Sequence, residues 1–333
     1  MKALALLSGG LDSFLAAKLI QEQGIEAIGL SFRSPFFGCE GGRKTAALAA
    51  IPFHCVDITE KYLPVLGKPR YGYGKHLNPC IDCHQLMVAE AFSWMETLGA
   101  SFVVTGEVLG QRPKSQHLDA LNSVAKGVRP GLLLRPLSAR LLKETIPEKE
   151  GWVDRSRFLD ISGRSRKTQL GLARKYGAEE HFSPGGGCLL TDTEYCRRLE
   201  EIKDKEGWLP DHLALLRVGR HFRLPAVSGF AFGAKVVSGR NEEENAELER
   251  LAREGDVLFQ AVERPASVTI LRKASGPFSR EEMETAAAIT ARYSRAAPGT
   301  ALAIGFWKPS APSARTILAV APLDDNRLST LRI

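Results

Sequence analysis

The chain has 333 residues, 44% hydrophobic and 25% charged, which are ordinary globular values and allow two domains that each bury a core. No apolar run approaches the ~20 residues that span a bilayer, and Met1-Lys2 leads into an apolar run with no cleavage-type segment. A cytoplasmic protein with no membrane partner is therefore expected. The net charge of +7 is unevenly spread, since residues 110–175 hold 15 Lys/Arg against 6 Asp/Glu. Such an excess suits a partner with many phosphates and is equally compatible with a solvated basic face. In a reducing compartment, the six cysteines at 39, 55, 80, 83, 188 and 196 point to metal or redox chemistry rather than structural disulfides.

In chain order, Ala3 to Leu7 reads as a buried parallel strand. The run up to Ile20 reads as an amphipathic helix with Leu11, Leu15 and Leu19 on one side. Between them stands Ser8-Gly9-Gly10-Leu11-Asp12-Ser13. A small-residue loop between strand and helix presents backbone N–H groups at the positive end of the helix dipole and so binds anions. Two glycines let that backbone approach a phosphate closely. The glycine spacing is too short for a Walker A loop, and no Lys precedes the Ser.

Further strands are expected at Ala27 to Phe32, Phe53 to Ile58 and Phe102 to Gly106, and helices at Arg43 to Ala50 and Ile81 to Leu98. Lys61 to Pro79, rich in Gly, Pro, Lys and Tyr, reads as a loop. Strands alternating with helices imply an α/β fold, a doubly wound parallel sheet with ligands at the carboxyl ends of its strands. That rule places the 8–13 loop, Phe32 and Thr105-Gly106-Glu107 on one rim.

Cys80-Ile81-Asp82-Cys83 opens a helix, where the dipole lowers thiol pKa and both sulfurs share a side, suiting thiolate chemistry or metal binding. Cys188 follows Ser183-Pro184-Gly185-Gly186-Gly187, a backbone able to bring its thiol close to another part of a site. Cys55, in a strand-like run, reads as a buried small hydrophobe, and Cys196 as incidental to a charged helix. Cys39 sits on a loop and is left undecided.

The hexapeptide Ser8–Ser13 resembles the loop of the PP-loop ATP pyrophosphatases, which split ATP to AMP and pyrophosphate while adenylating a substrate. With Thr105-Gly106-Glu107-Val108-Leu109-Gly110-Gln111, Asn78-Pro79-x-x-x-Cys83 and Gly187-Cys188, the resemblance narrows to the superfamily's tRNA thiolases, the 4-thiouridine synthetases and 2-thiouridylases. It covers about residues 1–195. It implies ATP bound by Ser8, Gly9, Gly10, Leu11, Asp12 and Ser13, with Phe32 and Gly106 near the adenosine. Asp12 would help position Mg²⁺ and the phosphates, and Asp12, Cys83 and Cys188 would be catalytic. Cys80 stands where the 2-thiouridylases have Asp. Three cysteines in this pattern resemble those of thiolases that hold a [4Fe–4S] cluster, so Cys80, Cys83 and Cys188 are candidate cluster ligands. The alternative is a persulfide on Cys188 resolved by Cys83. Adenylation of a uridine oxygen, followed by sulfur delivery from an external donor (sulfide or a persulfide-carrying protein), is the implied reaction.

Arg112 and Lys114 after the T-G-E turn, and Arg164, Arg166 and Lys167 before a helical segment at Thr168 to Tyr176, are candidate contacts to tRNA phosphates. The organisation expected is a PP-loop domain at 1–195, a helical linker at 196–215 and a smaller α+β domain at 216–333. In that last domain, Gly239-Arg240-Asn241-Glu242-Glu243-Glu244-Asn245 and the run from Gly255 to Phe259 resemble the NFACT RNA-binding domain. Arg220, Arg223, Arg240 and Arg272 are its candidate guides for tRNA, and a role in homodimerisation is the competing reading. Ser279-x-x-Glu282 fits a capping box. Two other classes of function stay in view. An amide-forming PP-loop ligase acting on a small molecule would have no use for three cysteines. A non-catalytic RNA-binding protein would show no ATP-dependent activity.

Overall fold

In the computed structural model the described residues are 1–126, 128–182, 187–227, 231–263, 266–294 and 299–333. Ser183 to Gly186, part of the glycine run before Cys188, lie outside them. The chain divides into two compact units, Met1–Asp192 and Thr193–Ile333.

The first unit runs β1 (Lys2–Leu6), α1 (Leu11–Gln21), β2 (Glu26–Arg33), α2 (Glu40–Ala49), β3 (Phe53–Asp57), α3 (Thr59–Gly67) and α4 (Cys80–Thr97). It continues with β4 (Phe102–Val104), α5 (Leu118–Val124), β5 (Leu133–Leu134), α6 (Ile146–Lys149) and α7 (Lys167–Lys175). The five strands form one parallel sheet in the order β3-β2-β1-β4-β5, the α/β arrangement expected from the alternation of strands and helices. Central β1 buries Ala3, Leu4 and Ala5, which is why it reads as an unbroken apolar run. From β1 the strand order runs outward to β3, then resumes on the other side of β1 with β4. The switch point thus lies between β1 and β4, where such sheets bind ligands. The loops that leave these two strands are Ser8–Gly10 and Thr105–Glu107.

Two expectations are corrected here. Lys61 to Pro79 is not one loop, because Thr59–Gly67 is the helix α3 despite its internal Pro64. Tyr62 and Leu66, one turn apart, are both fully buried, and the Asp57 carboxylate accepts from the Thr59 N–H (2.8 Å) at its start. Packing of that apolar pair outweighs the helix-breaking proline. Second, Cys39 and Cys55 form a disulfide, with 6.0 Å between their Cα atoms. Cys55 is exposed on the edge strand β3, not a buried hydrophobe, and Cys39 is the N-cap of α2. Sixteen residues and a helix separate them, so only the β2–β3 pairing brings them together.

The second unit contains α8 (Thr193–Lys203), α9 (Pro210–Leu215), β6 (Arg220–Arg223), β7 (Lys235–Ser238), α10 (Glu242–Leu251) and β8 (Val257–Ala261). It ends with β9 (Thr269–Arg272), α11 (Arg280–Arg292), β10 (Leu302–Trp307), β11 (Thr316–Val320) and α12 (Asp325–Leu331). Its six strands form an antiparallel sheet in the order β11-β10-β8-β9-β7-β6, so the unit is α+β. Period-two alternation divides its core. Val236, Phe259 and Leu271 face α11, whereas Val237, Leu258 and Ile270 pack with Leu215 of α9 and Leu248 of α10. The capping box of Ser279 and Glu282 starts α11.

The arginines expected to guide tRNA in this unit are largely spent on its own fold. Arg272 and Asp256 form a buried ion pair at 2.7 Å. Arg223 bonds Glu201 (2.9 Å) and Glu206 (2.6 Å), and Arg240 pairs with Glu244 one helical turn away. Arg220 lies over the Tyr293 ring and donates to the Gly239 carbonyl. Neutralised or buried guanidinium groups of this kind offer little to a phosphate.

The disulfide closes a loop of about 16 residues, for which chain entropy gives roughly 3 kcal/mol. Replacing Cys39 and Cys55 by Ser should lower the free energy of urea unfolding by about that amount, and adding a dithiol reductant to the wild-type chain should reproduce the loss.

Candidate active site

The loop after β1 is shaped by its glycines. Gly9 has φ +82°, and a Cβ there would lie 2.7 Å from the Cα of Gly41 in α2. Left-handed backbone and close approach both demand glycine at that position. Gly10 caps α1 with no side chain over the first-turn N–H groups, which keeps that end of the helix open to an anion. The Ser13 hydroxyl is buried, donates to the Gly10 carbonyl (2.8 Å) and accepts from the Ser8 N–H (3.3 Å), so it knits the loop together. Ser8 is exposed. Asp12 accepts from Gln111 Nε2 through Oδ2 at 2.6 Å, while its buried Oδ1 has no hydrogen-bond partner. An orphaned carboxylate oxygen beside an anion-binding turn fits a divalent cation held against phosphates. Phe32, at the end of β2, is 5% exposed.

The loop after β4 presses on this turn. A Cβ on Gly106 would lie 2.5 Å from the Asp12 carbonyl carbon and 2.5 Å from the Ser13 nitrogen. The next residue, Glu107, is buried and accepts from Arg135 Nε (2.8 Å), Thr105 Oγ1 (3.1 Å) and His84 Nδ1 (3.1 Å). Burial opposes its charge, but Arg135 and His84 outweigh that penalty and hold the carboxyl down at about 2. Arg135 also donates to the Leu121 carbonyl at 3.0 Å.

His84 is the residue after Cys83, so this network reaches the thiols. Cys80 and Cys83 stand in the first turn of α4, and the Asn78 amide donates to Cys80 Sγ at 3.1 Å. Asp82, between them, accepts from the N–H groups of Arg70 (2.8 Å) and Tyr71 (3.1 Å), which pins the preceding loop. Burial pushes the Cys83 thiol well up, and the sulfurs of Cys188 and Cys80 add to the shift. The buried phenol of Tyr62 lies beside Cys83, with Phe36 and Phe37 packed on it at 5.6 and 5.3 Å between ring centroids. The Phe36 carbonyl accepts from the Leu189 N–H at 3.0 Å, which anchors the Cys188 segment to the same loop. Three neighbouring thiols match the donor chemistry of an iron–sulfur cluster. Their arrangement does not support the expected cluster, because among the described residues no three or more His, Cys, Asp or Glu side chains are placed to hold a metal ion.

The structure brings the two basic segments side by side. Leu109 bridges to Ser162, and the Gly163 N–H donates to the Leu109 carbonyl at 2.8 Å. Arg112, Lys114, Arg164 and Lys167 are exposed and Arg166 is half-buried. Among the described residues, none of the five forms an ion pair.

Gln111, Arg135 and Gln169 carry the site's geometry without having been singled out from the sequence. Gln111 closes the T-G-E-V-L-G-Q run, and Arg135 interrupts the apolar stretch from Leu132 to Leu137, which is the signal a buried pair leaves. Gln169 has no comparable mark.

Sheet, switch point and loop define an α/β nucleotide-binding unit of the PP-loop type. The comparisons with known proteins are more particular. Residues 1–149 match the family model of the thiamine biosynthesis protein (ThiI), and residues 219–332 that of the NFACT protein RNA binding domain. Each resemblance read from the sequence is thus met in the half of the chain that carries it. The tRNA-specific 2-thiouridylase MnmA of Geotalea uraniireducens is 26% identical over 233 residues, 62% of this chain and 58% of that protein. MnmA of Clostridium acetobutylicum is 34% identical over 125 residues, 32% of this chain and 35% of its own length. A solved complex of a 4-thiouridine synthetase with RNA and bound ATP shares 24% identity, covers 65% of this chain and 52% of that one, and has a TM-score of 0.42. The chain spans between about a third and little more than half of the length of these relatives.

The Glu107 pair gives a test of the site's framework. A carboxyl held at about 2 when folded and near 4.5 when unfolded contributes stability above pH 4.5, which is lost as the pH falls from there toward 2. Glu107→Gln should flatten that acid limb. Arg135→Met, which strands a buried carboxylate, should cost about 3–5 kcal/mol at pH 7 in denaturant unfolding.

Proposed function

We propose that the protein is an ATP-dependent tRNA sulfurtransferase that adenylates a uridine oxygen, releases pyrophosphate and replaces that oxygen with sulfur. One observation carries the reading: two consecutive residues join the nucleotide loop to the thiols. Gly106 lies on the backbone of Asp12 and Ser13, while Glu107 bonds His84, next to Cys83. An adenylating loop and a sulfur-handling cluster built on one turn suit a reaction in which the same carbon is first activated and then attacked. The names of the 2-thiouridylase relatives and of the matched RNA binding domain support the same reading.

The chemistry follows from the residues. The N–H groups at the start of α1 would hold the ATP phosphates, and Asp12 would hold a Mg²⁺ ion able to offset their charge. The uridine carbonyl oxygen attacks the α-phosphorus as the neighbouring ring N–H gives up its proton to water. A P–O bond forms and the α–β phosphoanhydride breaks, and pyrophosphate leaves. AMP turns a poor oxygen leaving group into a good one. Sulfur then adds to the base carbon and AMP departs with the oxygen.

For the last step the persulfide route asks for two thiols and an external donor. A persulfide on Cys188 supplies the terminal sulfur, and Cys83 then attacks the Cys188 sulfur, leaving a Cys83–Cys188 disulfide for an external dithiol to reduce. An external donor must load Cys188. A [4Fe–4S] cluster on Cys80, Cys83 and Cys188 is the second reading, carried by the donor set alone. Arg112, Lys114, Arg164, Arg166 and Lys167 would contact tRNA phosphates, and the second unit would assist in binding RNA.

Asp12→Ala should abolish pyrophosphate release from ATP and leave tRNA affinity within about twofold. Deleting the gene should remove one thiolated uridine from the tRNA nucleosides seen by mass spectrometry. An unchanged nucleoside profile would contradict the reading. Anaerobic incubation with iron and sulfide should give no charge-transfer absorbance, while Cys188→Ala should lose thiolation and keep pyrophosphate release.

A further inference from the structure

The Asp12 carboxylate stands at the end of a line of two amides. Gln111 Nε2 donates to Asp12 Oδ2 at 2.6 Å, and Gln169 Nε2 donates to Gln111 Oε1 at 2.9 Å. A carboxylate only accepts, which sets the orientation of the Gln111 amide, and that in turn sets the orientation of Gln169. Gln169 is 0% exposed, in helix α7, which packs on α1, the helix that carries Asp12. Its own oxygen has no partner. A buried amide with half of its capacity unused is an expensive way to fill space that a leucine would fill at no polar cost. Packing therefore does not account for it, whereas its bond to Gln111 does. At the other end of the line, Asp12 Oδ1 is buried and unpartnered.

We infer that Gln111 and Gln169 are positioning residues that lock the Asp12 carboxylate in one orientation, so that Oδ1 is presented to a divalent cation on the ATP phosphates. The inference rests on the reading of Ser8–Ser13 as the ATP loop. Asp12 lies in the first turn of α1, at a half-exposed position with one carboxylate oxygen on Gln111 and the other buried. Hard cations bind best to an oxygen already in place, and loss of a partner that orients such a ligand typically weakens the metal by about 10–100-fold. Gln169 has a second consequence. It lies two residues beyond Lys167, so the relay joins the ATP site to the segment bearing Arg164, Arg166 and Lys167.

The test is calorimetric titration of the full chain with ATP, with and without Mg²⁺, for the wild type, Asp12→Asn, Gln111→Met, Gln169→Leu and Gln169→Met. Gln169→Met nearly keeps the length and volume of the side chain but cannot donate to Gln111, so it serves if the leucine variant fails to fold. Expected is a loss of about tenfold or more in the Mg²⁺-dependent part of the affinity for each Gln variant, with the Mg²⁺-free affinity unchanged. Because the two amides act in series, combining Gln111→Met with Gln169→Met should lose no more than Gln111→Met alone. Purely structural glutamines would lower the melting temperature and leave the Mg²⁺ effect intact, and that result overturns the relay. If Asp12→Asn loses the Mg²⁺ effect and the Gln variants keep it, only the relay falls. If the wild type shows no Mg²⁺-dependent ATP affinity, the reading of the loop falls and the relay with it.

Discussion

Two backbones meet at Gly106 with no room for a side chain between them. That contact is the constraint on which the candidate site depends. It forces the loop after β4 onto the first turn of α1, and everything that follows Gly106 in the chain is placed from there. Glu107 is carried to Arg135 and His84, and Gln111 to Asp12. A second contact of the same kind, Gly9 against Gly41, fixes the other side of the loop to α2. The anion-binding turn is thus clamped between two backbones as well as knitted together by the Ser13 hydroxyl. Close packing of this sort tolerates almost no change in volume.

The polar interior is laid out around that clamp. Glu107 is buried beside two cationic or ionisable partners, and its neighbours stay fixed because moving any of them would leave a charge unpaired. Toward the thiols the network ends in His84 and Cys83. Toward the phosphates it ends in Asp12. Both ends sit at the carboxyl edge of β1 and β4, where the reversal of strand order opens the sheet.

Much of this was legible in the sequence. The unbroken apolar run of β1 and the small-residue loop after it identify strand, turn and helix by local rules alone. The Ser279 cap likewise reports its own surroundings. Features that depend on pairing between distant segments were not legible. The Cys39–Cys55 bond requires the β2–β3 register, and α3 forms through Pro64 because Tyr62 and Leu66 find a core to enter. The arginines of the second unit look like free charge in a string of letters, yet Arg223 and Arg272 are neutralised by glutamate and aspartate from other elements. Gln169 was invisible for the same reason: a glutamine in a helix reads as surface until its burial is seen.

The two-sided core of the second unit restricts how nucleic acid can meet it. α11 covers the middle strands on one face, and α9 and α10 cover them on the other. Bases therefore have no open sheet centre on which to stack, as they do in modules that bind single strands across a bare β-surface. Among the described residues, the outer strand β11, where Ile317 is 58% exposed, is one surface open to contact. Recognition there would follow the contour of a folded RNA more readily than the order of its bases.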